Sequence, residues 1–522
     1  MAFGRKRLIV LLSAVTAIIV IGLVTLVARV PFSSDTLRKR IIATLSDRLD
    51  AEVELGSVTL RALPSLHAEL QHLVVRHKGR RDVPPLISVR TVLVDANLLG
   101  LWRKHVSHVD LEGLEIKIPP SDHRDDAEDH EDRTKATSGA HEPDETDPVR
   151  QVVIDEVVAD EATLTIVPRT EGKNPKVWYM HELHVRSVSA HTTMPFRTYL
   201  TNAVPPGQID TTGTFGPWRR EDPGRTPLVG DFTFADADLS VFKGISGILS
   251  ARGSYAGSLN HINVSGETET PDFMVNISGH TVPLSTKYRA LVDGTNGDTT
   301  LDEIDAKFLQ TSLVAKGGVY DVKGVHGRLV TLDVDITSGR LEDVMRLAVK
   351  SSRPPMTGAL RLKTKLDLPP GDVDVVDKLK LDGAFVIQSG QFTDPNVQKQ
   401  INELSHRASA RDLNAARQKV ASDFSGSFRL NNGMLSLRRL TFDVPGAVIE
   451  LNGQYSLRHE TIDFAGNLYM EAKVSEVTSG WKSLLLKAVD PLFRKKGKTV
   501  IPLKIQGTRG SPKFGLDKGR VF

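Results

Sequence analysis

The sequence predicts a mostly β protein: an N-terminal transmembrane helix, then an elongated, twisted antiparallel sheet curled into an apolar groove, with a few helices near the ends. Three observations predict it. From Val149 onward, short stretches alternate apolar and polar residues, separated by the Gly, Asn, Asp and Pro that punctuate successive hairpins. The clearest reads ALRLKTKLDL: Leu360, Leu362, Leu366 and Leu368 fall on one side of an extended chain, Arg361, Lys363, Lys365 and Asp367 on the other. The second observation is a shortage of helical pattern to cover so many one-sided strands. The third is a run of 21 residues without charge, Leu8 to Ala28, behind Arg5, Lys6 and Arg7. About 20 apolar helical residues span a bilayer core, and the flanking cations hold that end in the cytoplasm. The run exceeds the apolar core of a cleaved signal peptide and ends in Leu-Val-Ala-Arg, a poor cleavage site, so it reads as a retained single-pass anchor.

The elements follow in order. Ser34 to Leu49 has Leu37, Ile41, Ile42, Leu45 and Leu49 at three- and four-residue steps, with Ser34 or Asp35 to cap a helix. Strands are predicted at 53–60, 68–77, 86–96 and 111–119; Leu114, Ile116 and Ile118 form the apolar face of the last. Residues 97–102 read as a helical turn. Residues 121–148 are acidic and nearly without apolar side chains, which predicts a solvated, disordered insertion. Strands resume at 152–160, 162–168, 177–192, 230–239, 247–257, 260–269, 273–279, 287–294, 306–324, 328–339 and 359–368. In the strand at 328–339, Leu332, Val334 and Ile336 share one face. Leu341 to Lys350 is a fair helix, as is Asn396 to Ser422, which lacks Gly and Pro. Further strands are predicted across 426–457 and at 501–508. Val474 to Lys496 is apolar and basic, read as a helix broken at Pro491. The domain organisation is thus 1–30 (cytoplasmic stub and anchor), 31–120 (helix and strands), 121–149 (insertion), 150–370 (middle groove) and 371–522 (C-terminal region with helices).

Composition limits the function. Apolar residues make up 40% and charged residues 25%, ordinary for a folded chain. A net charge of +3, with the cations dispersed, gives no footprint for nucleic acid. With no cysteine, disulfides, thiolate metal sites and cysteine catalysis are excluded.

Roughly twenty strands with about three apolar side chains each on one face cannot leave them wet. Each loses about 1.5–3 kcal/mol when exposed, against a typical domain stability of about 5–15 kcal/mol. Two arrangements hide such a face: sheets stacked as sandwiches, or one sheet curled so that its apolar face lines a groove. Aromatic residues are only 6%, and small or β-branched side chains dominate the strands, which favours a groove filled by acyl chains. The lining candidates are Leu114, Ile116, Ile118, Leu332, Val334, Ile336, Leu360, Leu362, Leu366 and Leu368.

An anchor and helix followed by AEVELGSVTLRALPSLHAELQHLVV (51–75) and PLISVRTVLVDANLLGLWRKHVSHVDLEGLEIKIP, together with LKLDGAFVIQSGQFTDPNVQKQINELSHRASA (379–410) and IPLKIQGTRGSPKFGLD (501–517), resemble the AsmA-like family of bacterial envelope proteins. The resemblance covers both ends, about half the chain; the middle matches in pattern, and the acidic insertion departs from it. It implies a twisted β-groove akin to bridge-like lipid-transfer proteins, fixed in the inner membrane with its body in the periplasm. It further implies phospholipid movement toward the outer membrane or upkeep of that membrane.

No chemistry is advertised. His181-Glu-Leu-His184 is one residue short of the zinc-binding H-E-x-x-H helix, and Asp333 and Asp335 read as the solvent face of a strand. No nucleophile elbow, phosphate loop or dinucleotide fingerprint is present, so neither catalysis nor a cofactor is predicted. Trp481, Leu485 and Phe493 with Lys487, Lys495 and Lys496 make a basic amphipathic segment, suited either to an anionic membrane surface or to capping one end of the sheet. The rival readings are an envelope assembly factor with closed sandwiches that binds envelope proteins, and an enzyme acting on envelope glycans.

Overall fold

The computed structural model describes residues 34–49, 51–61, 66–77, 84–97, 100, 105–118, 153–166, 176–189, 192–217, 219, 223–294, 297–322, 325, 327–408, 420–470, 494–495 and 498–517. The predicted anchor, the acidic insertion and nearly all of 474–496 lie outside these residues. Among the described residues no helix is long and apolar enough to cross a membrane.

The protein is mostly β, and the 27 strands among the described residues hydrogen-bond into one sheet. The chain divides into two compact units: Met1–Asp238 with Ser250–Gly266 and Ala290–Asp298, and Leu239–Leu249 with Glu267–Arg289 and Thr299–Phe522.

The first unit opens with helix α1 (Ser34–Leu49), then β1 (Ala51–Glu54), β2 (Ser57–Arg61), β3 (Leu66–His77), β4 (Ile87–Ala96), β5 (His105–Glu112) and β6 (Glu115–Ile118). It continues through β7 (Val153–Ile166), β8 (Lys176–Val188), β9 (Met194–Thr201), β10 (Gln208–Phe215) and β11 (Pro227–Asp238). The alternating face is dry in β3, β4 and β5 and stays half-buried in β10 and β11. Ile41 and Leu45 of α1, each 1% exposed, pack with Leu70, Leu73, Val92, Val109 and Leu114 from the strands beneath. Arg38 Nη1 of the same helix donates to the Gly56 carbonyl at 2.8 Å.

Two features of this unit differ from the expected succession of hairpins. The predicted strand at 111–119 is two strands, broken where Gly113 takes φ +62°, and β5 and β6 both run parallel to β7. Parallel neighbours need a connection of about a dozen residues or more, which residues 119–152 supply. In addition, 152–160 and 162–168 are one strand, β7, passing through Glu161 at φ +54°.

The sheet continues with β12 (Ile245–Ser246), β13 (Ile248–Ser258), β14 (His261–Val275) and β15 (Thr281–Val292). Then come β16 (Thr299–Phe308), β17 (Thr311–Asp321), β18 (Arg328–Arg340), β19 (Met356–Leu368), β20 (Lys380–Phe392), β21 (Ser422–Asn431) and β22 (Met434–Val444). The chain closes with β23 (Ala447–Ser456), β24 (Thr461–Met470), β25 (Arg494–Lys495), β26 (Lys498–Thr508) and β27 (Ser511–Leu516). The predicted break between 260–269 and 273–279 is absent, because β14 runs through Pro271. Strand β25 stands where the basic segment was expected to end as a helix.

Among the described residues three α-helices interrupt the meander: α2 (Leu341–Ala348), α3 (Val375–Lys378) and α4 (Pro395–Ala408). Asp394 starts α4 by accepting from Asn396 N and Val397 N at 2.8 and 3.1 Å. α2 is held by buried Asp343, whose Oδ2 accepts from Thr311 Oγ1 at 2.8 Å and Gln310 N at 3.0 Å. Asp343→Ala orphans both donors and is expected to cost about 1–3 kcal/mol, measured as a lower urea midpoint with an unchanged slope. A midpoint equal to wild type would show that these bonds contribute nothing net.

Candidate functional site

The second unit answers what covers the apolar face: helices cover one margin, and the rest stays half open. Register sets its side chains in rows across the strands. Along the covered row, Leu360 pairs with Ile387, Ile387 with Phe424, Phe424 with Phe442, Phe442 with Ile449 and Ile449 with Leu468. Leu341, Val344 and Met345 of α2 pack over Leu360 and Ile387, while Ile401, Leu404 and Ala408 of α4 pack over Phe442, Ala447 and Leu468. The rings of Phe424 and Phe442 stack with centroids 4.5 Å apart. α4 is a fixed cover: Gln398 accepts from Phe392 N at 2.8 Å and donates to Val420 O at 3.1 Å.

Three rows away, the covering by the described helices ends. Leu332 pairs with Leu366, Leu366 with Leu381, Leu381 with Leu430, and Leu430 with Leu435. Apart from Leu430, which is buried, these leucines are neither buried nor exposed. Val334, Leu362, Thr364, Leu368 and Phe464 are in the same state. The reverse face is charged and wet. Arg361, Lys363, Lys365, Asp333 and Asp382 are exposed; Lys363 pairs with Asp335 at 3.0 Å and Arg429 with Asp382.

Bulges shape this face. Seven consecutive ladders, from β16–β17 to β22–β23, each carry a register shift. A bulge bends its strand and increases the local right-handed twist, so this stretch of sheet is bent at every step. At the far end of the open rows, Tyr455 sits beside Glu460 and Arg509, which pair at 3.2 Å. Burial pushes the Tyr455 hydroxyl above its ordinary pKa; Glu460 adds to this and Arg509 opposes it.

The predicted lining residues therefore fall into groups. Leu332, Val334, Leu362, Leu366 and Leu368 sit together on the half-open face. Ile336 and Leu360 share that face but are buried, Leu360 under α2. Leu114 and Ile116 are corrected: both are packed in the dry core under α1, where nothing is left to line. The side chains of Ile118 and Lys495 lie outside what is described, as do Trp481, Leu485, Lys487, Phe493 and Lys496. Half-open positions that the sequence reading left out are Leu381, Leu435 and Phe464. Their strands showed the same alternation, and register places Leu381 and Leu435 in the Leu366 row and Phe464 in the neighbouring row of Thr364, Phe428 and Leu437.

The chemical motifs resolve as surface pairs. His181 contacts Thr201 Oγ1 at 2.8 Å, whereas His184 contacts Glu182 at 2.9 Å and Glu156 at 3.7 Å. Among the described residues no group of three or more His, Asp or Glu side chains is arranged to hold a metal ion. No known protein family matches the sequence, and no curated protein does.

Proposed function

We propose that the protein is a membrane-anchored, non-enzymatic lipid-binding and transfer protein, of the kind its AsmA-like motifs suggest, which holds or conducts phospholipid along the apolar face of the second unit. In this reading Leu8–Ala28 fixes it in the inner membrane, the body occupies the periplasm, and lipid moves between inner and outer membranes in support of outer-membrane biogenesis. The segment around Trp481 and Phe493 then touches a bilayer or envelope protein at the far side.

The observation that carries the reading is the contrast within one sheet. The alternating pattern ends in a dry core under α1, yet in β18–β22 the same pattern ends in leucine rows that none of the described helices covers. A diacyl lipid has about thirty methylenes, each costing about 0.8 kcal/mol to wet. Free diffusion through water is closed to it, and an apolar row removes most of that barrier with no chemistry required. The competing assembly-factor reading draws on the strands packed with α1, where the face is sealed; the lipid reading draws on the second unit, where leucine rows stay half open.

Full-length protein extracted in mild detergent and examined by native mass spectrometry is expected to carry phospholipid in substoichiometric to severalfold amounts. Protein that is lipid-free from every preparation would favour the assembly-factor reading instead.

A further inference from the structure

Two connections far apart in sequence meet in the second unit. Residues 239–247 lead into β12, which pairs with the last residues of β14 (Ile245 with Val275, Ser246 with Met274). Asn276 N also donates to the Gly244 carbonyl at 2.9 Å. This connection therefore belongs at the strand ends where β14 stops and β15 begins. The other connection, 369–379, joins the end of β19 to the start of β20. Between them, Val375 N donates to the Lys243 carbonyl at 2.9 Å.

The joint is built to be close. A Cβ on Gly244 would stand 2.6 Å from Asp374 Oδ1 and 2.9 Å from Val375 N, and Gly244 holds φ +100°, so glycine alone fits. Asp374 Oδ1 accepts from Val376 N at 2.9 Å, capping α3, and Asp377 of α3 is gripped by Arg458.

Topology places these connections at opposite strand ends. β14 to β19 are successive antiparallel neighbours, so the ends of β14, β16 and β18 share one side and the end of β19 lies on the other. His280, after β14, agrees: its Nε2 reaches the carbonyls of Lys350 and Ser351, after β18, at 3.3 and 3.1 Å. A sheet turning by about 20–25° per strand rotates through roughly 100–125° over five steps. Bulged ladders add to that rotation, and diagonal corners of one face swing toward each other. Arg361, Lys363 and Lys365 are exposed while Leu362, Thr364 and Leu366 are not, so the shielded, inward side of the bend is the apolar one.

We infer that residues 239–247 form a strap that roofs the apolar face between β14 and β19, fastened to the 369–379 connection at Lys243 and Val375, and that an acyl chain passes this stretch only when the strap is unfastened. The inference rests on the lipid reading above and adds where passage is controlled. The fastening includes a backbone hydrogen bond between two connections, a type of contact that opens locally. Val241, Phe242 and Val373 ride on the two connections and are 47%, 39% and 56% exposed. Passing acyl chains give these side chains the apolar cover they otherwise lack.

The absence of native cysteine makes a clean test. Full-length protein carrying Lys243→Cys and Val375→Cys is compared oxidised and reduced, with each single variant as control. The probe is NBD-labelled phosphatidylethanolamine in phosphatidylethanolamine–phosphatidylglycerol vesicles; the readouts are uptake rate by dequenching and bound lipid by native mass spectrometry. Expected are a ready cross-link, retention of the lipid already bound, and uptake slowed by about tenfold or more, restored by reductant. Uptake at the same rate in both states, or failure of the pair to cross-link in folded protein, overturns the strap while leaving bound lipid as evidence for the groove. Lipid absent from both states overturns the groove reading and the strap with it.

Discussion

Leu366→Asp is expected to empty the full-length protein of lipid and leave it folded, whereas Leu360→Asp, six residues earlier on the same face of β19, is expected to unfold the second unit. The two leucines share a strand, a face and a sequence pattern, and differ in what lies above them. Leu360 is 2% exposed beneath Leu341, Val344 and Met345 of α2. A carboxylate there loses the packing of a leucine and is left without water or partner, a cost of about 4 kcal/mol or more. That is a large part of a typical domain stability of about 5–15 kcal/mol. Leu366 lies in the half-open row between Leu332 and Leu381. Water reaches a carboxylate at that point, so the fold loses about 1–2 kcal/mol. An acyl chain entering the row would have to strip that water from the charge, and the row stops being a path for it. Thermal melts separate the two variants, and native mass spectrometry reads the lipid. If Leu366→Asp melts as low as Leu360→Asp, the rows are closed core and the groove has no opening at β19.

That pair marks the limit of what the sequence makes legible. Alternation identifies a strand and its inward face, and it placed β3, β4, β8, β11, β18 and β19 within a few residues. It cannot identify what covers the inward face, because cover comes from elements distant in the chain. Leu114 and Ile116 alternate as cleanly as Leu362 and Leu366, yet α1 and its neighbouring strands seal the first pair, while the α2 cluster reaches Leu362 only in part and does not include Leu366. Strands β9, β10 and β24 went unread for a different reason. MPFRTYLT, QIDTTGTF and TIDFAGNLYM carry Thr, Gly, Asp or Asn inside the strand, and on a half-open face those residues are tolerated. Glu161 and Pro271 looked like breaks and are passed through, the first by a left-handed residue within the strand. The bulges did have a signal. Gly339, Gly358 and Gly390 interrupt otherwise regular strands at the register shifts beside α2 and α4. An isolated glycine in a strand pattern marks a bend, and read together these three foretell a curved sheet.

Removing the seal from the first unit is expected to be the most damaging change, and to stay local. Ile41→Ala with Leu45→Ala leaves α1 helical, since alanine is the best helix former, but deletes the two side chains it buries most deeply. Each truncation of a buried Ile or Leu costs about 2–5 kcal/mol. Together they take about 4–10 kcal/mol from a core that contains Leu70, Leu73 and Val92. The second unit draws its stability from separate clusters, around Leu360 and Ile387 under α2 and around Phe442 and Leu468 under α4. Hydrogen exchange resolves the two. Amides of β3 and β4 are expected to lose protection by several orders of magnitude, with those of β20 to β24 close to wild type. Equal loss across both units would show that folding of the whole sheet depends on the N-terminal core. Unchanged exchange in β3 and β4 would show that α1 is an ornament on strands already sealed by one another. The localised result is the one that fits a chain in which α1 closes the strands packed with it and the second unit is left with a face for something else to fill.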